Sequence, residues 1–261
     1  MMRTSNPALN ASVFQIHDSA SSATMTLQGT VAKTAILLAI VVAGASFTWY
    51  QTMQGFEAAG VGAGAGQMAN VPPVVYTYGM IGMIAGLILA MITIFKPAVS
   101  PYTAPLYALA EGVFLGGVSA GFEYVYPGVV PQAVTLTFGT LATLLTAYAT
   151  RIIRPTENFK LGIVAATGGI CLFYLATMVL GFFGVHIPLI NQSGWVGIGF
   201  SAFVVVIAAL NLVLDFDFIE TGITRGAPKY MEWYGAFGIL VTLVWLYLEI
   251  LRLLVKLRNR D

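Results

Sequence analysis

The sequence predicts an all-α, polytopic membrane protein built as a bundle of seven transmembrane helices. Hydrophobic residues make up 58% of the chain and charged residues only 9%, with a mean hydropathy of +0.84. That is too little charge to cover the surface of a water-soluble domain. Seven windows reach the roughly 20 apolar residues that a helix needs to cross hydrocarbon. Between them stand the Pro, Gly and polar residues of connections, in "NVPP", "KPAVSPYTAP", "YPGVVP", "RPTENFK", "HIPLINQSG" and "TRGAPKYMEW". A net charge of +1 supplies no basic surface for a nucleic-acid partner.

The windows cover residues 31–50, 74–95, 104–125, 129–150, 161–184, 195–217 and 234–257. Residues 1–30 are polar and rich in Ser and Thr, without the apolar core of a cleaved signal; they read as a partly disordered or surface-lying tail. Residues 31–257 then form the transmembrane domain, and 258–261 a short basic tail. The Gly/Ala-biased stretch 55–73 reads as a flexible loop or a re-entrant cap. With the N-terminus in the cytoplasm, Arg3, Lys33, Lys96, Arg151, Arg154, Lys160, Arg225 and Lys229 all fall inside, and the outer loops between spans carry no Lys or Arg. That is the positive-inside pattern. Arg252, Lys256, Arg258 and Arg260 run against it, because seven spans place them outside.

Gly79, Gly82 and Gly86 in the second span, and Gly112, Gly116 and Ser119 in the third, have the small-residue spacing that lets helix backbones approach closely in lipid. Thr137, Thr140, Thr143 and Thr146 recur every third residue. They either line a polar path or bond carbonyls of their own preceding turn. Cys171, alone in an apolar run, reads as a small packing residue, and His17 and His186 lie too far apart to suggest a metal site.

The acids carry the functional signal. A charge at the membrane centre costs roughly 2.5–3.5 kcal/mol on insertion scales, so such a residue is a functional candidate by default. Glu111 lies about two turns into the third span. In "LVLDFDFIETG", Asp215 and Asp217 point some 200° apart on a helix of 3.6 residues per turn. Asp215 shares its face with Asn211, one turn deeper. Asp217 aligns with Glu220 toward water, where Arg225 or Lys229 could pair with them. Burial in a dry interior raises a carboxyl pKa by up to about 3–5 units, so a deep acid is a candidate pH sensor or cation site. Glu249 has Arg252 three residues on, which spacing alone reads as a helix-surface ion pair. Glu232 opens the last helix, where its charge suits the positive end of the dipole.

"LDFDFIETG" and "WLYLEILRLL", carried on seven spans, resemble the Bax inhibitor-1 family, in particular a bacterial branch of it. The resemblance covers nearly the whole chain from the first span onward; its specific part is residues 211–254. It implies a central helix ringed by six others and a pH-sensitive leak of calcium or other cations. The implied location is a bacterial inner membrane. It also implies a sensor made of two buried acids, Asp215 in step with Ile219, and Glu249 in "LYLE" where the family carries Asp. The stretch between them looks long for the family, so "GAPKYMEWYGAF" could hold an extra interfacial turn, with Tyr230, Trp233 and Tyr234 at headgroup level. The last span would then start later than Tyr234.

The expectation is therefore a non-enzymatic ion-leak protein sensing pH through Asp215 and Glu249, with Glu111, Asn211, Asp217 and Glu220 as secondary candidates. It has no resident cofactor or metal, and calcium would bind only in passing. The alternative is a non-conducting regulator that binds another membrane protein, such as a quality-control protease, through its N-terminal tail. Hydrolase chemistry is disfavoured because no histidine lies in any span.

Overall fold

The computed structural model describes residues 24–58, 60, 73–184 and 194–259, with backbone alone for 73–76. Seven helices fill this range: α1 (Leu27–Ala58), α2 (Pro73–Phe95), α3 (Ser100–Val125), α4 (Val129–Ala149), α5 (Glu157–Phe182), α6 (Trp195–Thr224) and α7 (Met231–Arg258). A 3-10 turn, Pro97–Val99, joins α2 to α3. All seven are long and apolar enough to cross a membrane, so the protein is a polytopic all-α membrane protein in a lipid bilayer.

The last helix is the hub. Ala236, Phe237, Leu240, Leu243, Leu246 and Leu251 of α7 are all buried, so this helix packs against protein on most of its sides and not against lipid. α7 packs against α1, α3, α4 and α6, while α2 lies on α3 and α5 lies on α6. The outer faces of α2 and α5 keep large apolar residues exposed, among them Leu87 and Leu172, as contact with lipid requires.

Small residues set the tightest approaches. A Cβ on Gly112 or Gly116 would run into the α1 backbone at Val41 or Ala45, and one on Gly82 would sit 2.7 Å from the Ala110 carbonyl oxygen. Gly86 faces the Glu111 carboxylate. Gly79 faces open space and takes no part in the seam. Ser119 serves as a polar contact, its hydroxyl 2.6 Å from that of Tyr247 on α7.

The structure moves several boundaries. α1 begins at Leu27, and the Met25 N–H donates to the Ala227 carbonyl (2.8 Å). Thr24 bridges to Pro228. Residues 24–30, placed in the tail by composition, thus strap the turn between α6 and α7. That turn is tight: Gly226 takes φ 66°, α6 runs on to Thr224 and α7 starts at Met231. The later start expected for the last span is not found. Cys171 is exposed on α5 and is no packing residue. Thr137, Thr143 and Thr146 each donate to the carbonyl four residues back, so the threonine stripe serves its own helix. Arg3, His17, His186, Arg260 and most of the 55–73 stretch lie outside the described residues.

Candidate functional site: acids around the central helix

α6 delivers Asp215 to the face of α7 that carries Gly238 and Thr242. The Thr242 side chain lies beside the Asp215 carboxylate. Because Gly238 has no side chain, Oδ1 can lie close to the central helix; a Cβ there would sit 3.7 Å from it. Oδ2 is sealed off and has no hydrogen-bond partner, although the residue as a whole keeps part of its surface. None of the ion pairs among the described residues includes Asp215. Asn211, one turn deeper, donates to the Thr167 hydroxyl of α5 (2.8 Å) and to the Ile207 carbonyl (2.8 Å). It supports the α5–α6 contact and does not bond Asp215.

Glu249 is furnished differently. It is 2% exposed, and Arg252 Nη1 donates to both its oxygens (2.8 and 3.0 Å). The Tyr174 hydroxyl of α5 donates to Oε1 (3.0 Å) and receives a bond from Arg252 (2.8 Å). The direct Asp215–Glu249 pair is therefore not formed. Thr242, beside Asp215, precedes Glu249 by seven residues, about 10 Å of helix at 1.5 Å per residue. The register is fixed further along, where Lys256 Nζ donates to the Gly197 carbonyl (3.0 Å) and the Ser201 hydroxyl (2.8 Å) of α6. The three-residue ion pair read from spacing alone is what Glu249 makes, with its carboxylate buried against α5 and not on the helix surface.

Asp217 and Glu220 do face the rim together, but their partners come from α4, α5 and the connection between them, not from Arg225 or Lys229. Lys160 pairs with Asp217 (2.7 Å), while Arg151 and the Tyr148 hydroxyl both bind Glu220. Hydrogen bonds to Glu220 hold the Arg151 guanidinium above its ordinary pKa. Glu111 is half-buried in the α2–α3 seam, beside Tyr107 of its own helix. The Tyr107 ring packs edge-on to Phe237 of α7, with centroids 4.9 Å apart.

Three polar contacts escaped the sequence. Glu232 is fully buried and receives Lys33 (2.8 Å), Lys229 (2.8 Å), the Thr26 N–H (2.9 Å) and the Thr26 hydroxyl (2.8 Å). Only Lys229, on the same helix, was within reach of a spacing argument. Glu123 accepts from the Gly128 and Val130 N–H groups (2.6 and 3.0 Å) at the start of α4. Arg258 donates to the Pro127 carbonyl (2.6 Å). With Arg252 on Glu249 and Lys256 on α6, this last contact engages three of the four C-terminal cations that opposed the charge pattern.

The sequence model of the family described as Bax inhibitor 1 like matches residues 6–259, nearly the whole chain. The chain belongs to that family. No curated protein and no solved structure matches it. In this Bax inhibitor 1 like protein the central helix is α7, and Asp215 meets it with no ion pair among the described residues.

Proposed function

We propose that the protein is a pH-sensitive leak pathway for calcium or another cation, with Asp215 as its responsive carboxyl. The observation that carries this is the sealed, unpartnered Oδ2 of Asp215 against the central helix. An ionised carboxylate there lacks a cation, so a proton or a metal cation is the natural counter-charge. Among the described residues no three His, Cys, Asp or Glu side chains gather as a metal site. A cation at Asp215 would be held by one carboxylate and the Thr242 hydroxyl, which suits passage more than storage. The proposal assigns no enzymatic step and no resident cofactor.

The same reading sets the protein in a bacterial inner membrane with its N-terminus in the cytoplasm. Lys33, Arg151, Lys160 and Lys229 meet their acids at one end of the bundle, and that end is taken as the inner one. Calcium flux into proteoliposomes across pH tests the function. Wild type is expected to leak above protein-free vesicles in a pH-dependent way, and Asp215→Asn to leak without pH dependence. A wild type no leakier than empty vesicles would end the proposal.

One observation favours a regulator as the second reading. The stretch from Thr24 to Thr30 is tied to the foot of α7 through Glu232 and Ala227, so a membrane protein holding the N-terminal tail would pull on the central helix. Deleting residues 1–22 leaves that strap in place. The deletion should abolish partner recovery in a detergent pull-down under this reading, and leave flux unchanged under the first.

A further inference from the structure

Beside the acids, on a different side of α7, lies a cavity of about 250 Å³ between α1 and α4. At about 30 Å³ per water molecule, it exceeds a single-water void several-fold. One lip is formed by Val42 and Ser46 of α1, the other by Val134 and Phe138 of α4, and all four are exposed. Its floor includes Leu243, Val244 and Tyr247 of the central helix, all buried. No charged residue lines it. The Tyr247 and Ser119 hydroxyls bond each other, and that of Thr137 is donated to the Ala133 carbonyl.

Such a lining gives water too few partners to stay, so the cavity is dry unless something apolar fills it. Left empty, its walls forfeit dispersion contacts. The mouth is continuous with the lipid-facing surface of the bundle, and Val42 lies midway along α1, at hydrocarbon depth. What meets the mouth there is acyl chain. A headgroup is excluded by the absence of any charged partner, and a helix, about 10 Å across with its side chains, by a volume of only about 250 Å³.

We propose that a bilayer phospholipid inserts an acyl chain between α1 and α4 and seats it on the central helix. The site takes an apolar tail and does not depend on ion conduction, so it survives failure of the leak proposal. The test uses the full chain in phosphatidylethanolamine/phosphatidylglycerol vesicles doped with a phosphatidylcholine that carries a mid-chain photoreactive diazirine. Labelled positions are read by mass spectrometry. Label is expected on Leu243, Val244 and Tyr247, buried though they are, as well as on the outer faces of α2 and α5. Val134→Trp narrows the mouth and should remove the floor label while the outer faces keep theirs, with a wild-type thermal unfolding midpoint in detergent as the check that the variant is folded. Ser46→Phe, on the opposite lip, should do the same. An unlabelled floor in wild type overturns the proposal, as does floor label indifferent to both substitutions. An unlabelled floor together with crosslinks between copies across the mouth would assign the groove to a second copy instead.

Discussion

Asp215 and Glu249 sit on neighbouring apolar helices, both facing the interior of the bundle. Glu249 is almost inaccessible, yet its carboxylate meets a guanidinium and a phenol. Asp215 retains part of its surface, and one of its oxygens meets nothing. Burial alone therefore does not mark the responsive acid. A buried carboxylate with its cation beside it is a structural element, whereas one without a cation is poised to bind whatever positive charge arrives.

The largest effect expected from this contrast lies in Arg252. Arg252→Met leaves Glu249 buried with only Tyr174, and should destabilise the protein by about 3 kcal/mol, the low end for breaking a buried pair because Arg252 is partly exposed. Thermal unfolding in detergent measures it. Adding Glu249→Gln to Arg252→Met should recover most of that loss, since no orphan charge then remains; a double variant as unstable as the single would deny that the pair is what matters. Tyr174→Phe removes one bond to Glu249 and one from Arg252, and should cost about 1 kcal/mol. Asp215→Asn should have the smallest effect on stability, within about 1 kcal/mol, because no ion pair is lost. A destabilisation by Asp215→Asn matching that of Arg252→Met would erase the distinction between the two acids.

Much of this was legible in the chain. Span number follows from hydropathy, and helix geometry separates Asp215 from Asp217. The ion pair of Glu249 with Arg252 was also visible, as a three-residue spacing. The resemblance argued for a direct pair with Asp215, but such a pair depends on the relative register of α6 and α7. That register is set by the tight turn at Gly226 and by Lys256 reaching Gly197 and Ser201, contacts between residues far apart in sequence. The partners of Glu232, Asp217 and Glu220 were hidden for the same reason: Lys33, Lys160 and Arg151 come from other helices or from the connection between them. Composition likewise misplaced residues 24–30, because a polar segment strapped to a turn reads the same as a free tail. Of the two glycine stripes, only contact geometry could set Gly79 apart from Gly82 and Gly86.

The central claim is that pH acts through Asp215 while Glu249 holds structure. Side-by-side flux profiles of Asp215→Asn and Glu249→Gln proteoliposomes across pH test it most directly. The account predicts a flat profile for Asp215→Asn and a pH-dependent one, at altered stability, for Glu249→Gln. A flat profile for Glu249→Gln together with a retained pH response in Asp215→Asn would contradict it.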